Sequence, residues 1–139
     1  LVYCGSPGIG KTFLCAALID WAMRNFDSIR YHKDYDLYNK LRNFMDGDIK
    51  GDYLVELNRL IDDDFLMVDD VGSAGITDWR KDIFFNVIDY RYNSNLPTVI
   101  TSNFSAKEIK EIYHPRVSSR LFNKDSVIIE IMDGEDLRQ

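Results

Sequence analysis

In Gly5-Ser6-Pro7-Gly8-Ile9-Gly10-Lys11-Thr12, two glycines and a Lys–Thr pair fall at the spacing G-x-x-x-x-G-K-[ST]. That spacing has a physical purpose. Residues without a Cβ let successive backbone N–H groups turn inward around phosphate oxygens. A helix opening at Lys11 would aim its positive end at the same anion. Lys11 is then placed for the β- and γ-phosphates and Thr12 for Mg²⁺. The local context agrees with this reading. The apolar residues 1–4 precede the loop as a short buried strand. A helix over 11–25 follows it, with Phe13, Leu14, Ala17, Leu18 and Trp21 at i, i+3/i+4 spacing.

Outward from the loop, apolar runs and helical periodicities alternate along the chain. Further strands are expected over 28–32, 65–68, 97–102 and 126–131. Helices are expected over 35–46 and 53–61, the two separated by a turn between Gly47 and Gly51. Another is expected over 78–93, capped by Asp78, with Trp79, Ile83, Phe84, Val87 and Ile88 inward. Ser105 and Glu108 form a capping box for a helix that Pro115 ends, and a basic helical segment over 116–122 follows. Strand–helix alternation with all-apolar strands implies a parallel sheet covered on both faces.

The strand over 65–68 ends in Asp69-Asp70. A parallel strand delivers its C-terminal residues to the crevice where ligands bind. Asp69 is therefore expected to hold Mg²⁺, through water, and Asp70 to orient or deprotonate an attacking water. The next strand ends in Thr101-Ser102-Asn103. If it lies between the strands that carry the loop and the acidic pair, Asn103 reaches the γ-phosphate or the water. Asn103-Phe104-Ser105 is also a glycosylation triplet, a reading given no weight beside a nucleotide site. Arg116 and Arg120, at i and i+4, offer an arginine that reaches across a subunit boundary to a neighbour's γ-phosphate.

Bulk properties narrow the field. The chain has 139 residues, 45% hydrophobic and 13% aromatic, enough for one folded domain. Its net charge of −6 argues against coating nucleic acid by bulk charge. A local basic strip is still present, since residues 107–124 carry five Lys/Arg against Glu108 and Glu111. No apolar run reaches the ~20 residues that span a bilayer, no leader sequence is seen, and no membrane partner is expected. The two cysteines, Cys4 and Cys15, read as reduced thiols of a cytoplasmic protein.

Taken together, the segments resemble the AAA+ helicase loaders of the DnaC/DnaI type and their relatives, the IstB transposition helper ATPases. The match is carried by residues 5–12, 65–72 and Trp79, by Arg91-Tyr92-Asn93-Ser94-Asn95-Leu96-Pro97 running into Thr101-Ser102-Asn103, by Ser119-Arg120-Leu121, and by the tail Gly134-Glu135-Asp136-Leu137-Arg138. It spans essentially the whole chain. The resemblance implies an α/β P-loop NTPase fold of AAA+ type, with a five-stranded sheet in the order 5-1-4-3-2 and no lid domain. Residues 1–139 would form the ATPase core, with an N-terminal partner-binding region outside this chain. It implies ATP and Mg²⁺ as cofactors, slow ATP hydrolysis stimulated by partner or DNA, and ATP-dependent homo-oligomers completed by Arg120 as arginine finger. The implied partners are a replicative DNA helicase and single-stranded DNA. The acidic pair departs from the commoner AAA+ pattern, which has Glu at the position of Asp70; Asp is one methylene shorter and would hold the water closer.

Three other functions are weighed: the IstB-like transposition helper on the same engine, a small-molecule P-loop kinase, and a nucleotide switch without hydrolysis. The kinase reading leans on Arg116, Arg120 and Asp89-Tyr90-Arg91, yet two acids and an asparagine suit water activation better than acceptor phosphorylation. Lys33, Lys40, Arg42 and Lys50, beside Tyr35, Tyr38 or Phe44, offer a surface for single-stranded DNA. Core aromatics and solvated lysines are the preferred reading of that group.

Overall fold

The structure is a computed structural model that describes residues 1–46, 50–123 and 128–131, with residues 50–52 and 128–131 described by backbone alone. The tail 134–138, Lys124, the start of the last expected strand and the turn beginning at Gly47 lie outside the described residues.

The elements follow in the order β1 (Val2–Gly5), α1 (Lys11–Met23), β2 (Ile29–Lys33), α2 (Asp34–Asp46), α3 (Lys50–Asp62), β3 (Phe65–Asp69), α4 (Asp78–Asn93), β4 (Thr98–Ser102), α5 (Ala106–Ile112), α6 (Pro115–Leu121) and β5 (Ile128–Ile131). All strand pairs are parallel, in the order β2-β3-β4-β1-β5. The chain therefore leaves β1 for the far edge of the sheet and returns inward through β3 and β4. That path sets β4 between β1 and β3, as the placement of Asn103 requires.

The strand period of two sorts the core. Leu66 and Val68 of β3 face one way, into a cluster with Leu41, Leu60, Ile83, Val87, Ile109 and Val117 from α2–α6. Phe65 and Met67 face the other way, packing with Cys15 and Ala22 of α1. Among the described helices α1 supplies that second face.

Three expectations are corrected. Phe13, Ala17 and Trp21 of α1 are exposed, and the inward residues are Cys15 and Ala22 with Leu18 and Ile19 half-buried. Apolar residues stand nearly all round this helix, so periodicity alone does not select a face. In α3, Leu54 is exposed while Glu56 is buried at 3% exposure, because Arg30 of β2 and Lys40 of α2 meet its carboxylate. Helix α4 is capped by Thr77, whose hydroxyl accepts from the N–H of Arg80 at 3.3 Å, and Asp78 is its first residue. The capping box of Ser105 and Glu108 is present as expected.

A candidate nucleotide site at the ends of β1, β3 and β4

The loop after β1 is held from below. Tyr3, buried in β1, donates its hydroxyl to the Ile9 carbonyl at 3.4 Å. Gly8 and Gly10 sit at φ 87° and 88°, left-handed conformations that a Cβ disfavours. Gly10 is the residue before α1, so the loop turns directly into the helix. Lys11 is buried at 7% exposure, and its ammonium donates to the carbonyls of Gly5 and Ser6, each at 2.7 Å.

A cleft of about 480 Å³ opens above this loop. Pro7, Gly8, Gly10, Lys11 and Thr12 line one side; Asp69, Asp70 and Asn103 line the other; Phe13 and Lys33 complete it. Six of the residues read from the sequence as phosphate-, metal- or water-handling thus share one cavity with Gly8 and Gly10. Gly5 and Ile9 are buried under the loop, and Ser6 is exposed beside it.

One hydroxyl touches both acids. Thr101 of β4 donates its Oγ1–H to Asp69 Oδ1 and accepts from the backbone N–H of Asp70 at 2.9 Å. Asp69 is buried at 3% exposure and takes further donors from Tyr31, at 3.2 Å to Oδ2, and from the Cys15 thiol, at 3.5 Å to Oδ1. Burial, reinforced by the Asp69 charge, pushes both the Tyr31 hydroxyl and the Cys15 thiol up to about 12, so both hold their protons at neutral pH. Asp70 adopts φ 62°, a left-handed conformation uncommon outside glycine. Asn103 donates its side-chain N–H to Asp70 Oδ1.

This donor set fits a hard divalent cation. Mg²⁺ characteristically takes one or two carboxylates with substrate phosphates and waters. Asp69 and the Thr12 hydroxyl face the same cleft.

Arg120 does not line the cleft. It lies on α6, where Nε and Nη2 each reach Asp89 Oδ1 at 2.9 Å and the guanidinium lies 5.5 Å from the Tyr92 ring centre. Arg116 borders a separate cleft of about 600 Å³ between the start of α4 and the α5–α6 junction. Arg91, the last residue of the Asp89-Tyr90-Arg91 motif behind the kinase reading, is fully buried. Its donors go to the carbonyls of Leu60, Ile61, Asp63 and Pro97 and to Thr98 Oγ1. It is unavailable to an acceptor. Lys40, read as a DNA contact or a solvated lysine, is paired with Glu56 at 2.7 Å. Tyr38 is buried at 3% exposure, as the core reading expects.

Sequence reasoning missed Thr101, Tyr31 and Cys15 as partners of Asp69, and Phe13 and Lys33 as cleft residues. Lys33 had a usable signal. It ends β2, beside the strand that ends in Asp69, and the two are register partners.

Residues 1–122 match the family model for IstB-like ATP binding protein. The chain belongs to that family. Family membership brings ATP binding as the family's property. The replicative helicase loader DnaI of Bacillus subtilis (strain 168) is 31% identical over 108 residues, covering 76% of this chain and 33% of its own. The replicative helicase loader DnaC of Buchnera aphidicola subsp. Baizongia pistaciae (strain Bp) is 27% identical over 120 residues, covering 86% of this chain and 49% of its own. The chain thus spans between a third and a half of the length of these curated relatives. The crystal structure of the DnaC helicase loader superposes with a TM-score of 0.79 at 26% identity, over 94% of this chain and 77% of that one. The α/β fold is of the AAA+ kind.

Proposed function

We propose that this chain is the ATPase core of a replicative-helicase loader, using ATP hydrolysis to place a helicase on single-stranded DNA. The observation that carries the proposal is the meeting of Lys11, Thr12, Asp69, Asp70 and Asn103 in one cleft, in a chain with relatives that are named replicative helicase loaders.

Each residue has a role that its position supports. The backbone amides of residues 5–10 and the N-terminus of α1 cradle the phosphates. Lys11 neutralises charge on the β- and γ-phosphates. Thr12 and Asp69 would hold Mg²⁺, which would supply positive charge against that of the phosphates. Asp70 accepts from, or orients, the attacking water, and Asn103 fixes the Asp70 carboxylate and the water. Arg120 completes the site of a neighbouring copy, having exchanged Asp89 for the neighbour's γ-phosphate. A region outside this chain binds the helicase.

The transposition helper is the second reading, favoured by the name of the family model. It shares the same cleft chemistry and differs in the partner.

The two separate in an ATPase assay on the full-length protein, with and without single-stranded DNA and the replicative helicase from the same source. The loader reading expects DNA and helicase together to raise turnover, and a large fraction of that turnover to be lost in Arg120→Ala with ATP affinity retained. Turnover indifferent to both partners argues against it.

A further inference from the structure

Asp34, outside the cleft, is the feature this chemistry leaves unexplained. It is the first residue of α2, directly after Lys33, and is only 1% exposed. Its Oδ2 accepts the backbone N–H groups of Gly72 and Ala74, each at 3.1 Å. Its Oδ1 is buried with no hydrogen-bond partner. Burial pushes this carboxyl up to about 6, against the opposing pull of those amides and of Arg80; Tyr38, Tyr113 and Asp70 also face it. An acidic residue can favour a helix start from the surface without this desolvation cost. The partners that use Asp34 lie in the loop after β3.

That loop begins at Asp70. One side is stitched to β4: the Asp70 N–H to Thr101 Oγ1, the Val71 N–H to the Thr101 carbonyl at 2.8 Å, and the Ser102 hydroxyl to the Val71 carbonyl at 2.8 Å. Gly72, at φ 95°, is pressed against the Phe104 ring so closely that a Cβ there would meet Phe104 Cε2 at 2.2 Å. Asp34 holds the next stretch of the loop through Gly72 and Ala74.

We infer that Asp34 is a positioning residue for hydrolysis: by clamping Gly72 and Ala74 it fixes the loop that keeps Asp70 in its left-handed conformation, aimed at the attacking water. The inference rests on the reading of Asp70 as the water-orienting acid. Asp34 touches no substrate and acts through the backbone.

The test compares Asp34→Ala and Asp34→Asn with wild type in steady-state ATPase kinetics and in equilibrium binding of an ATP analogue. An asparagine oxygen can still accept both N–H groups; alanine cannot. Asp34→Ala is expected to lower kcat about tenfold to a hundredfold while KM and the analogue's Kd stay within about twofold, and Asp34→Asn is expected to restore most of kcat. If Asp34→Ala fails to fold, Asp34→Ser, too short to reach Gly72, takes its place. An unchanged kcat without the carboxylate, or kcat and analogue affinity falling together, overturns the assignment while the ATPase reading stands. Wild-type protein that binds the analogue yet hydrolyses nothing removes both.

Discussion

At the scale of single residues, the site depends on where a few protons sit. Thr101 Oγ1 donates to Asp69 and accepts from the amide of Asp70, so one hydroxyl links the Asp69 carboxylate to the Asp70 backbone. Thr101→Val keeps the shape and the β-branch while removing one donor from Asp69 and the acceptor of the Asp70 N–H. We expect a loss of about 1–3 kcal/mol of stability and a fall in kcat about tenfold or more, read by urea unfolding and by single-turnover hydrolysis. Full turnover in that variant would show that Asp69 and Asp70 orient themselves. None of this was visible in the sequence as chemistry. Thr101 reads there as one of the polar residues that end a buried strand, with no role of its own, because its importance comes from the pairing of β3 with β4, a contact across more than thirty positions.

At the scale of elements, legibility followed how much of the signal was local. The phosphate loop, the capping box at Ser105 and the acidic end of β3 depend on neighbours within a few residues, and each stands where the sequence places it. Which face of α1 turns inward, and why α3 buries Glu56 and exposes Leu54, depends on what packs against them. Periodicity ranks apolarity, and in α3 the deciding factor is a carboxylate met by Arg30 and Lys40. Arg91 is the same lesson in a favourable form. It marks the family resemblance in the sequence, and in the fold it ties the C-terminal carbonyls of α3 to the start of β4. Burial lowers its guanidinium to about 10, still charged at neutral pH. A lysine has the charge without the fork. Arg91→Lys is expected to cost about 3 kcal/mol, seen as a lower urea midpoint, with nucleotide affinity little changed; an unshifted midpoint would mean those carbonyls find other donors.

At the scale of the whole molecule, the strand order turns local motifs into a site. Sending the chain from β1 to the far edge and back places β4 beside β1 and β3, so the loop, the acidic pair and Asn103 meet although they lie far apart in sequence. The same topology leaves Arg120 outside the cleft, held by Asp89. Among the described residues no helix is long and apolar enough to cross a membrane. The central claim is that this cleft holds ATP with Mg²⁺ through Lys11. Calorimetric titration of the chain with a non-hydrolysable ATP analogue and Mg²⁺, alongside a Lys11→Ala variant shown by circular dichroism to be folded, tests it most directly. Saturable binding that disappears in the variant is the predicted result; no binding by the wild type, or equal binding by both, would contradict it.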